Sequence, residues 1–341
     1  MNPIKRHQIP LHLIESTKNF LKDYQVTPFK SLSPLRSPWL QTIVPSLLPH
    51  RINDNTSLEK ILLEDGDQLI IAKNTPSAWT PEKRTVVLVH GLTGCYRSKY
   101  LIRMTRELNK LGIQTIRMNL RGAGPGFNTA RGIYHSGRSE DTRTVIDWVN
   151  EKYPSSPITF IGFSLGGNIG LKMAGEDRSH TKLDSIASVS APLDLMASSK
   201  RMSHPRNRFF DQYFVKRLKK DIRTKHEIFS DLPDFDLPKK LSLAEFDHQY
   251  TAPRAGFSSG QEYYERCSSL PLLKYISIPT LLLCANDDPI VEPASYFGLG
   301  DLDHLQVLMT EGGGHMGFFS QQRLFWMDQV LVQWVRGLSL S

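Results

Sequence analysis

The sequence predicts an α/β fold, a mostly parallel central sheet with helices on both faces, and two features support this prediction. Short apolar runs rich in β-branched residues alternate with segments whose apolar residues recur at helical spacing, as in parallel strands joined by crossover helices. A Gly-x-Ser-x-Gly motif at residues 162–166 follows one such run and precedes one such helix. Since ligands bind at the carboxyl ends of parallel strands, the motif indicates a functional site at that edge.

The strands of the predicted sheet are apolar runs bounded by turn residues. The clearest runs lie at residues 85–90, 112–119, 157–163, 184–190 and 279–285, and a further strand-like run covers 304–310. Helices are predicted at residues 99–111, 139–152, 164–175 and 321–335. Strand and helix therefore alternate through most of the chain.

The chain is predicted to form a single domain over residues 1–341, with an insertion at 193–270. Its 341 residues suffice for one large domain or two smaller ones, but no linker rich in Gly, Ser and Pro marks a boundary. Residues 193–270 lack a buried strand pattern and are rich in Asp, Phe, Pro, Arg and Lys. We expect this insertion to fold over one end of the sheet as a lid.

The formal net charge of +8 is spread along the chain, with one exception. In residues 209–225, six basic residues interleave with Phe210, Phe214, Leu218 and Ile222, a spacing that places these apolar residues on one helix face. One interpretation is a basic amphipathic helix lying on anionic lipid. The other, which the pattern favours, is a lid helix whose apolar face covers the core. The basic residues form no recognisable nucleic-acid-binding motif, so no nucleic-acid partner is expected.

The cysteine usage and the hydropathy pattern predict a cytoplasmic protein. Cys95, Cys267 and Cys284 have neither pair spacing nor an even count, so a disulfide framework is not indicated and a reducing compartment fits. The first twenty residues lack the continuous apolar stretch of a signal peptide, and no run of about 18 apolar residues predicts a transmembrane helix. Peripheral contact with an anionic membrane stays open through the basic segment.

Ser164 lies at the centre of the Gly-x-Ser-x-Gly motif and is the candidate nucleophile. A serine on a sharp strand-to-helix turn has strained backbone angles, and only glycine lets the chain pass closely on either side. The turn holds the hydroxyl at the top of the sheet. A serine hydroxyl is a weak nucleophile until a histidine takes its proton, and that histidine needs a carboxylate to orient it.

A carboxylate and a histidine follow Ser164 in the chain order typical of such sites. Asp287 and Asp288 both follow the strand at 279–285, and we favour Asp288 as the acid because it begins the turn "DPIV". His315 lies in a glycine-rich loop after the run at 304–310, and Gly312 to Gly314 would let the ring swing toward Ser164. His90 and His135 are interpreted as structural, with His135 close to the pocket.

A serine nucleophile also requires a pair of hydrogen-bond donors for the oxyanion that develops when it attacks a carbonyl group. The amide of Leu165 follows the serine, and the turn "HGLTG" after the strand at 85–90 directs the amide of Leu92 toward the site. The glycine-rich stretch at 122–126 lacks the strand-turn-helix placement of a dinucleotide site. No Walker A, H-E-x-x-H or cysteine-rich metal spacing occurs, so we expect neither a cofactor nor a metal.

Several sequence blocks resemble the YheT-like branch of the α/β-hydrolase superfamily, which is related to eukaryotic abhydrolase-domain lipid esterases and phospholipases. The blocks are "SPWLQTIVPSL", the strand-leading "EDGDQLII", "MNLRGAGPGFNTARGIYHSGRSED", "FDHQYTAPRAGFSSGQEYY", "DDPIV" and "GGGHMGF". Their order and spacing cover nearly the whole chain. The resemblance implies an α/β-hydrolase fold with Ser164, Asp288 and His315 as the catalytic triad.

The resemblance also implies hydrolysis of carboxylic esters, with acyl esters of lipids as the substrate class. We therefore predict a serine esterase that forms an acyl-enzyme on a small-molecule ester, its acyl pocket built from lid aromatics including Phe209, Phe210, Tyr213 and Phe214. Two alternatives stay open at this point. One is acyl transfer to an alcohol by the same triad, and the other is a non-catalytic, hydrolase-like binding protein.

Overall fold

A computed structural model of the protein describes residues 7–48, 56–233, 236–299, 302, 304–322 and 324–338. Its strands are β1 Ser57–Leu62, β2 Gln68–Asn74, β3 Thr85–Val89, β4 Gln114–Met118, β5 Ile158–Phe163, β6 Ser185–Val189, β7 Thr280–Ala285 and β8 Leu305–Thr310. They form one eight-stranded sheet in the order β1-β2-β4-β3-β5-β6-β7-β8. From β4 to β8 all neighbours are parallel, whereas β1–β2 and β2–β4 are antiparallel. The predicted fold class is confirmed.

The helices are α1 Leu11–Asp23, α2 Pro38–Leu47, α3 Lys99–Asn109, α4 Ser139–Lys152, α5 Leu165–Asp177, α6 Leu195–Met202, α7 Arg208–Ile228, α8 Leu243–Phe246, α9 Ala252–Arg254, α10 Gly260–Cys267 and α11 Trp326–Leu338. They cover both faces of the sheet. Val86 and Leu88 of β3 pack with α3 and α11, while Val87 and Val89 pack with α4 and α5. This alternation follows from the two-residue period of a strand and produces two apolar cores.

The predicted strands agree with the structure to within two residues at each end. β1 and β2 were not among the predicted strands. β1 is an edge strand in which only Ile61 is buried, so its sequence shows no clear apolar alternation. β2 begins within the block "EDGDQLII", which was quoted only for the family resemblance. The last predicted helix began too early. Gln321 donates its amide to the Lys30 carbonyl instead of to a helical acceptor, and α11 starts at Trp326.

The segment between β6 and β7 contains α6 to α10 and a π-helical turn, Asp247–Thr251. In its described residues it adds no strand to the sheet. Instead, α7, the π-helical turn and α10 lie over the end of the sheet where β5 gives way to α5, and they form one side of a pocket there. Within the part of the chain that the structure describes, no helix is both long and apolar enough to cross a membrane.

Candidate active site

Ser164 forms the turn between β5 and α5 in a strained conformation, with φ 52° and ψ −119°. The turn is possible because two neighbouring positions lack a Cβ. A Cβ on Gly162 would lie 2.5 Å from the Gly166 carbonyl oxygen, and one on Gly166 would lie 2.6 Å from the His90 carbonyl oxygen. Both glycines are therefore required sterically, and the structure holds the Ser164 side chain at the carboxyl edge of the sheet.

His315 lies between Ser164 and Asp288. Its Nε2 is 2.9 Å from the Ser164 Oγ, and its Nδ1 is 2.9 Å from the Asp288 Oδ2. Asp288 is fully buried and His315 is 7% exposed, so the pair is shielded from water, which strengthens the charge-assisted bond. With the Nδ1 proton donated to Asp288, the Nε2 is the acceptor for the serine hydroxyl.

Of the two adjacent carboxylates, Asp288 contacts the imidazole. Its Oδ1 also accepts the amides of Ile290 at 2.8 Å and Val291 at 3.1 Å, which fixes the orientation of the carboxylate. Asp287 has a different partner, since its Oδ1 accepts the Gly314 amide at 2.9 Å. The favoured choice of Asp288 over Asp287 therefore agrees with the geometry.

The loop that carries His315 is held by hydrogen bonds to its main chain, and its glycines account for the shape of the backbone. Gly313 and Gly314 have φ values of 145° and 59°, which favour glycine for the shape of the backbone. The Gly314 amide bonds to Asp287, and the His315 amide bonds to the Thr42 Oγ1 at 2.9 Å. The Thr42 contact was not predicted, because α2 is far from His315 in sequence.

Leu92 and Leu165 both line the pocket beside Ser164. The loop after β3 runs close to the serine, since a Cβ on Gly91 would lie 3.0 Å from the Ser164 Cβ. The amides on either side of Leu92 have acceptors: Gly91 bonds to the Tyr100 hydroxyl and Thr93 to the Tyr134 hydroxyl. Among the described residues, neither the Leu92 amide nor the Leu165 amide donates to a backbone acceptor outside the helices and strands.

His90 and His135 have structural contacts. The His90 Nδ1 lies 2.8 Å from the Gly91 carbonyl and its Nε2 accepts the Leu120 amide. Burial lowers the pKa of His90 to about 4. The His135 Nδ1 accepts the Gly137 amide, and burial, with nearby cationic side chains, lowers its pKa to about 3. Both rings stay neutral near pH 7, which supports their interpretation as structural residues, and His135 lines the pocket as expected.

The pocket next to Ser164 is walled mainly by apolar and aromatic side chains. The insertion contributes Met202, Phe214, Leu218, Ile222, Leu243, Phe246, Tyr250, Tyr263 and Tyr264. Of the four aromatic residues predicted to form the acyl pocket, Phe214 lines it. The prediction was wrong for Phe209 and Tyr213, which are 64% and 45% exposed, and Phe210 is buried but not among the lining residues.

The apolar face of α7 points inward, as the favoured interpretation predicts. Phe214, Leu218 and Ile222 line the pocket. Lys225 is also turned inward, where its Nζ donates to the carbonyls of Ala130 at 2.6 Å and Gly132 at 2.8 Å. Burial lowers the pKa of this lysine to about 8. Lys225 thus ties α7 to the loop after β4 and is not part of a basic outer surface.

Two carboxyl groups that were not predicted also line the pocket. Asp247 accepts a hydrogen bond from the Tyr264 hydroxyl at 2.8 Å, and burial raises its pKa to about 6. Asp221 lies on α7, and burial raises its pKa as well. Asp247 lies within the block "FDHQYTAPRAGFSSGQEYY", but the resemblance assigned it no role, and no motif distinguished Asp221 from a surface acid. Across the described residues, no group of three or more His, Cys, Asp and Glu side chains could hold a metal ion.

Comparisons with known proteins agree with this architecture. A family model described as the alpha/beta hydrolase fold matches residues 84–322. YheT of Escherichia coli strain K12, named as an inferred esterase, is 29% identical over 303 residues, which cover 87% of this chain and 89% of that protein. Phospholipase ABHD3 of Homo sapiens is 28% identical over 341 residues, covering 95% of this chain and 83% of that protein.

A solved structure shows the same fold. The esterase Pf2001 of Pyrococcus furiosus superposes with a TM-score of 0.54 at 14% identity, covering 91% of this chain and 99% of that one. The resemblance to the YheT-like branch is confirmed by the first two relatives. Since the family model spans well over half of the chain, the chain belongs to the alpha/beta hydrolase fold family, as an enzyme of the ester-hydrolase type.

Proposed function

We propose that the chain is a serine carboxylic-ester hydrolase in which Ser164, His315 and Asp288 act as the catalytic triad. The observation that carries this proposal is the continuous path of hydrogen bonds from the Ser164 Oγ through the His315 imidazole to the buried Asp288 carboxylate. The path begins at the wall of a mostly apolar pocket. Such a pocket suits the acyl part of an ester and excludes water from it.

In the proposed reaction, His315 Nε2 takes the Ser164 proton as the Oγ attacks the ester carbonyl carbon. A tetrahedral oxyanion forms, and the Leu92 and Leu165 amides donate to it. Protonated His315 then gives its proton to the alkoxide, so that the alcohol leaves and an acyl-serine remains. Water attacks that acyl group with His315 again as the base, releasing the acid and restoring Ser164. Asp288 keeps the imidazole oriented and balances its positive charge during both acylation and deacylation.

The oxyanion site rests on two observations. Among the described residues, the Leu92 and Leu165 amides donate to no backbone acceptor outside the helices and strands, and Leu165 is the first residue of α5, whose N-terminal dipole favours negative charge. Donors that are unpaired before the reaction need no rearrangement when the oxyanion appears. Each such donor contributes about 3 kcal/mol of transition-state stabilisation in comparable sites.

The insertion at 193–270 acts as a lid in this proposal. Its helices cover the pocket above Ser164, and Phe214, Leu218 and Ile222 of α7 supply an apolar wall for an acyl chain. This wall, together with the similarity to a protein named as a phospholipase, supports acyl esters of lipids or short- to medium-chain acyl esters as substrates. Activity on p-nitrophenyl esters of increasing acyl length measures how much of this wall a substrate uses.

Replacement of the nucleophile tests the proposal directly. Ser164→Ala is expected to lower kcat on p-nitrophenyl butyrate by at least about a thousand-fold and to abolish labelling by a fluorophosphonate. Ser57→Ala, at an exposed serine of β1, is the matched control and should change neither readout. Full activity of Ser164→Ala, or wild-type protein that resists the fluorophosphonate, would overturn the assignment. Product analysis with a competing alcohol separates hydrolysis from acyl transfer.

Peripheral contact with anionic membranes is a second part of the proposal, and it rests on the outer face of α7. The exposed aromatics Phe209 and Tyr213 continue along the helix into four exposed basic residues, Lys216, Arg217, Lys220 and Arg223. Residues three and four apart share a helix face, so these side chains form one surface. Aromatic residues insert at the lipid interface and basic residues attract anionic headgroups. Phe214, Leu218 and Ile222 of the same helix line the pocket, which suits an enzyme that takes lipid esters from a membrane.

Vesicle binding tests this surface. Reversing all four basic residues of the α7 surface to Glu should abolish co-sedimentation with vesicles containing 30% phosphatidylglycerol, in ~0.1 M salt where charge attraction is effective. The matched control reverses Lys18, Lys22, Lys30 and Lys60, which are exposed elsewhere, so that net charge falls equally. Equal loss in both variants would mean that overall charge, not α7, drives binding. Thermal unfolding checks that both variants are folded.

A further inference from the structure

Helix α2 packs directly against the loop that carries His315. It spans Pro38–Leu47 and contains most of the block "SPWLQTIVPSL", to which the proposed reaction gives no role. The helix also lies before the region that the family model matches, residues 84–322. Its contacts with the loop therefore lie outside the region that the family model matches, and its hydrogen bonds to the loop come from two adjacent side chains.

Gln41 is the first of these side chains and is completely buried. Its Oε1 accepts the Phe319 amide at 2.7 Å, and its Nε2 donates to the Phe319 carbonyl at 3.0 Å. The same Nε2 donates to the Leu35 carbonyl at 2.7 Å. One side-chain amide thus pairs with both main-chain groups of a residue at the end of the His315 loop, as a neighbouring strand would do.

Thr42 is the second, and it contacts the catalytic position itself. Its Oγ1 accepts the His315 amide at 2.9 Å and donates to the Pro38 carbonyl at 2.7 Å. On the other side of the loop, the adjacent Gly314 amide donates to Asp287 at 2.9 Å. The main chain at His315 is therefore held from two directions, by α2 and by the turn after β7.

The approach of α2 to the loop leaves no room for side chains at two glycines. A Cβ on Gly317 would lie 1.9 Å from the Gln41 carbonyl oxygen, and one on Gly314 would lie 2.5 Å from the Pro38 carbonyl oxygen. Both target atoms are backbone atoms of α2, so a larger residue could be accommodated only by moving the helix. The backbones of α2 and the loop are therefore in close contact at both glycines, and a shift of α2 would shift the loop.

We infer that Gln41 and Thr42 are positioning residues, which set the His315 imidazole within hydrogen-bond reach of Ser164. The inference rests on the proposed function of His315 as the base. Neither residue touches the reacting atoms. Their effect is to fix the main chain from which the imidazole projects, and misplacement of a catalytic group by about 1 Å is enough to cost two orders of magnitude in rate.

The test replaces the Thr42 hydroxyl without changing the shape of the side chain. Thr42→Val removes the acceptor of the His315 amide, and we expect kcat on p-nitrophenyl butyrate to fall at least about ten-fold with an unchanged KM. The rate of fluorophosphonate labelling should fall by the same factor, because labelling uses the same Ser164 and His315 pair. Thr42→Ser keeps the hydroxyl oxygen, so both rates should stay close to those of the wild type.

Thr17→Val is the matched control. The Thr17 Oγ1 accepts the Met309 amide at 3.0 Å and donates to the Met309 carbonyl at 3.3 Å, so the same substitution removes a comparable bond between an N-terminal helix and the main chain of β8. It should leave both rates at the wild-type level. Gly317→Ala provides a second variant, since its Cβ would push the Gln41 main chain, and with it α2, away from the loop while both positioning side chains are kept, and kcat should fall with KM unchanged.

The outcomes separate this inference from the proposed function. If Thr42→Val or Gly317→Ala retains the wild-type kcat while Ser164→Ala is inactive, the positioning role is wrong and the triad stands. If Thr42→Val and Thr17→Val lose equal activity, the effect is a general loss of packing and the inference is also wrong. If Ser164→Ala is active, the proposed function itself fails.

Discussion

Asp287 and Asp288 are adjacent carboxylates, and replacing each in turn by asparagine tests which of them supports His315. In Asp288→Asn, the Oδ1 position must still accept the amides of Ile290 and Val291. These two donors require an oxygen there, because turning the new NH₂ group toward them would leave both unpaired, at about 1–3 kcal/mol each. The NH₂ group therefore takes the place of Oδ2 and faces the His315 Nδ1.

The predicted size of the effect follows from this orientation. Facing a donor, the His315 Nδ1 becomes an acceptor, so the ring proton moves to Nε2. Nε2 then cannot accept the Ser164 proton across the 2.9 Å that separates it from Oγ. Loss of this tautomer in serine hydrolases lowers kcat by about ten-thousand-fold, equivalent to about 5 kcal/mol of transition-state stabilisation. We expect a decrease of that order, with little change in KM.

Asp287→Asn is the comparison. Its side-chain carbonyl can still accept the Gly314 amide, so the loop is retained and the decrease in kcat should be less than about ten-fold. Steady-state hydrolysis of p-nitrophenyl butyrate measures both variants, and thermal unfolding checks their folding. Two results would refute the reasoning: an Asp288→Asn enzyme within ten-fold of wild type, or an Asp287→Asn enzyme that is impaired as severely as Asp288→Asn.

Three further predictions follow from single features of the structure. Gly166→Ala places a Cβ 2.6 Å from the His90 carbonyl oxygen, so we expect a folded variant to lose fluorophosphonate labelling; normal labelling would contradict the steric argument. Because burial lowers the pKa of His90 from 6.5 to about 4, the unfolded chain binds more protons across that interval. His90 should therefore contribute a fall of about 3 kcal/mol in the free energy of unfolding as pH decreases from 6.5 to 4, and His135, whose pKa is lowered to about 3, adds a fall of the same sign. Chemical denaturation should show a smaller decrease in His90→Gln, and an equal decrease would exclude His90 as its source. Leu218→Ala removes part of the apolar wall of the pocket and should lower kcat/KM for octanoate esters about ten-fold, whereas Ile228→Ala, at an exposed position of the same helix, should not.

The sequence by itself determined the fold class, and it identified the serine and the histidine of the candidate site together with a pair of adjacent aspartates for the third position. Buried parallel strands appear as short apolar runs, and their alternation with helical segments is a local property that needs no tertiary information. The requirement for Gly162 in the Gly-x-Ser-x-Gly motif is equally local, since its closest contacts are with Gly166 and Gly167, whereas the requirement for Gly166 comes from the end of β3. The chain order of serine, acid and histidine identified partners that are 151 and 27 residues apart, although spacing could not decide between two neighbouring aspartates.

Only the tertiary structure decided how the site is held and what surrounds it. Asp287 and Asp288 differ in the atoms they face, which depends on the turn after β7. The helical period placed Phe214 on an apolar face but did not show that Phe209 faces outward, because that depends on how α7 is rotated about its axis above the pocket. The contact of Thr42 with His315 joins residues 273 positions apart. Such contacts form only when the chain has folded, because a local sequence pattern cannot predict which distant main-chain amide a side chain will contact.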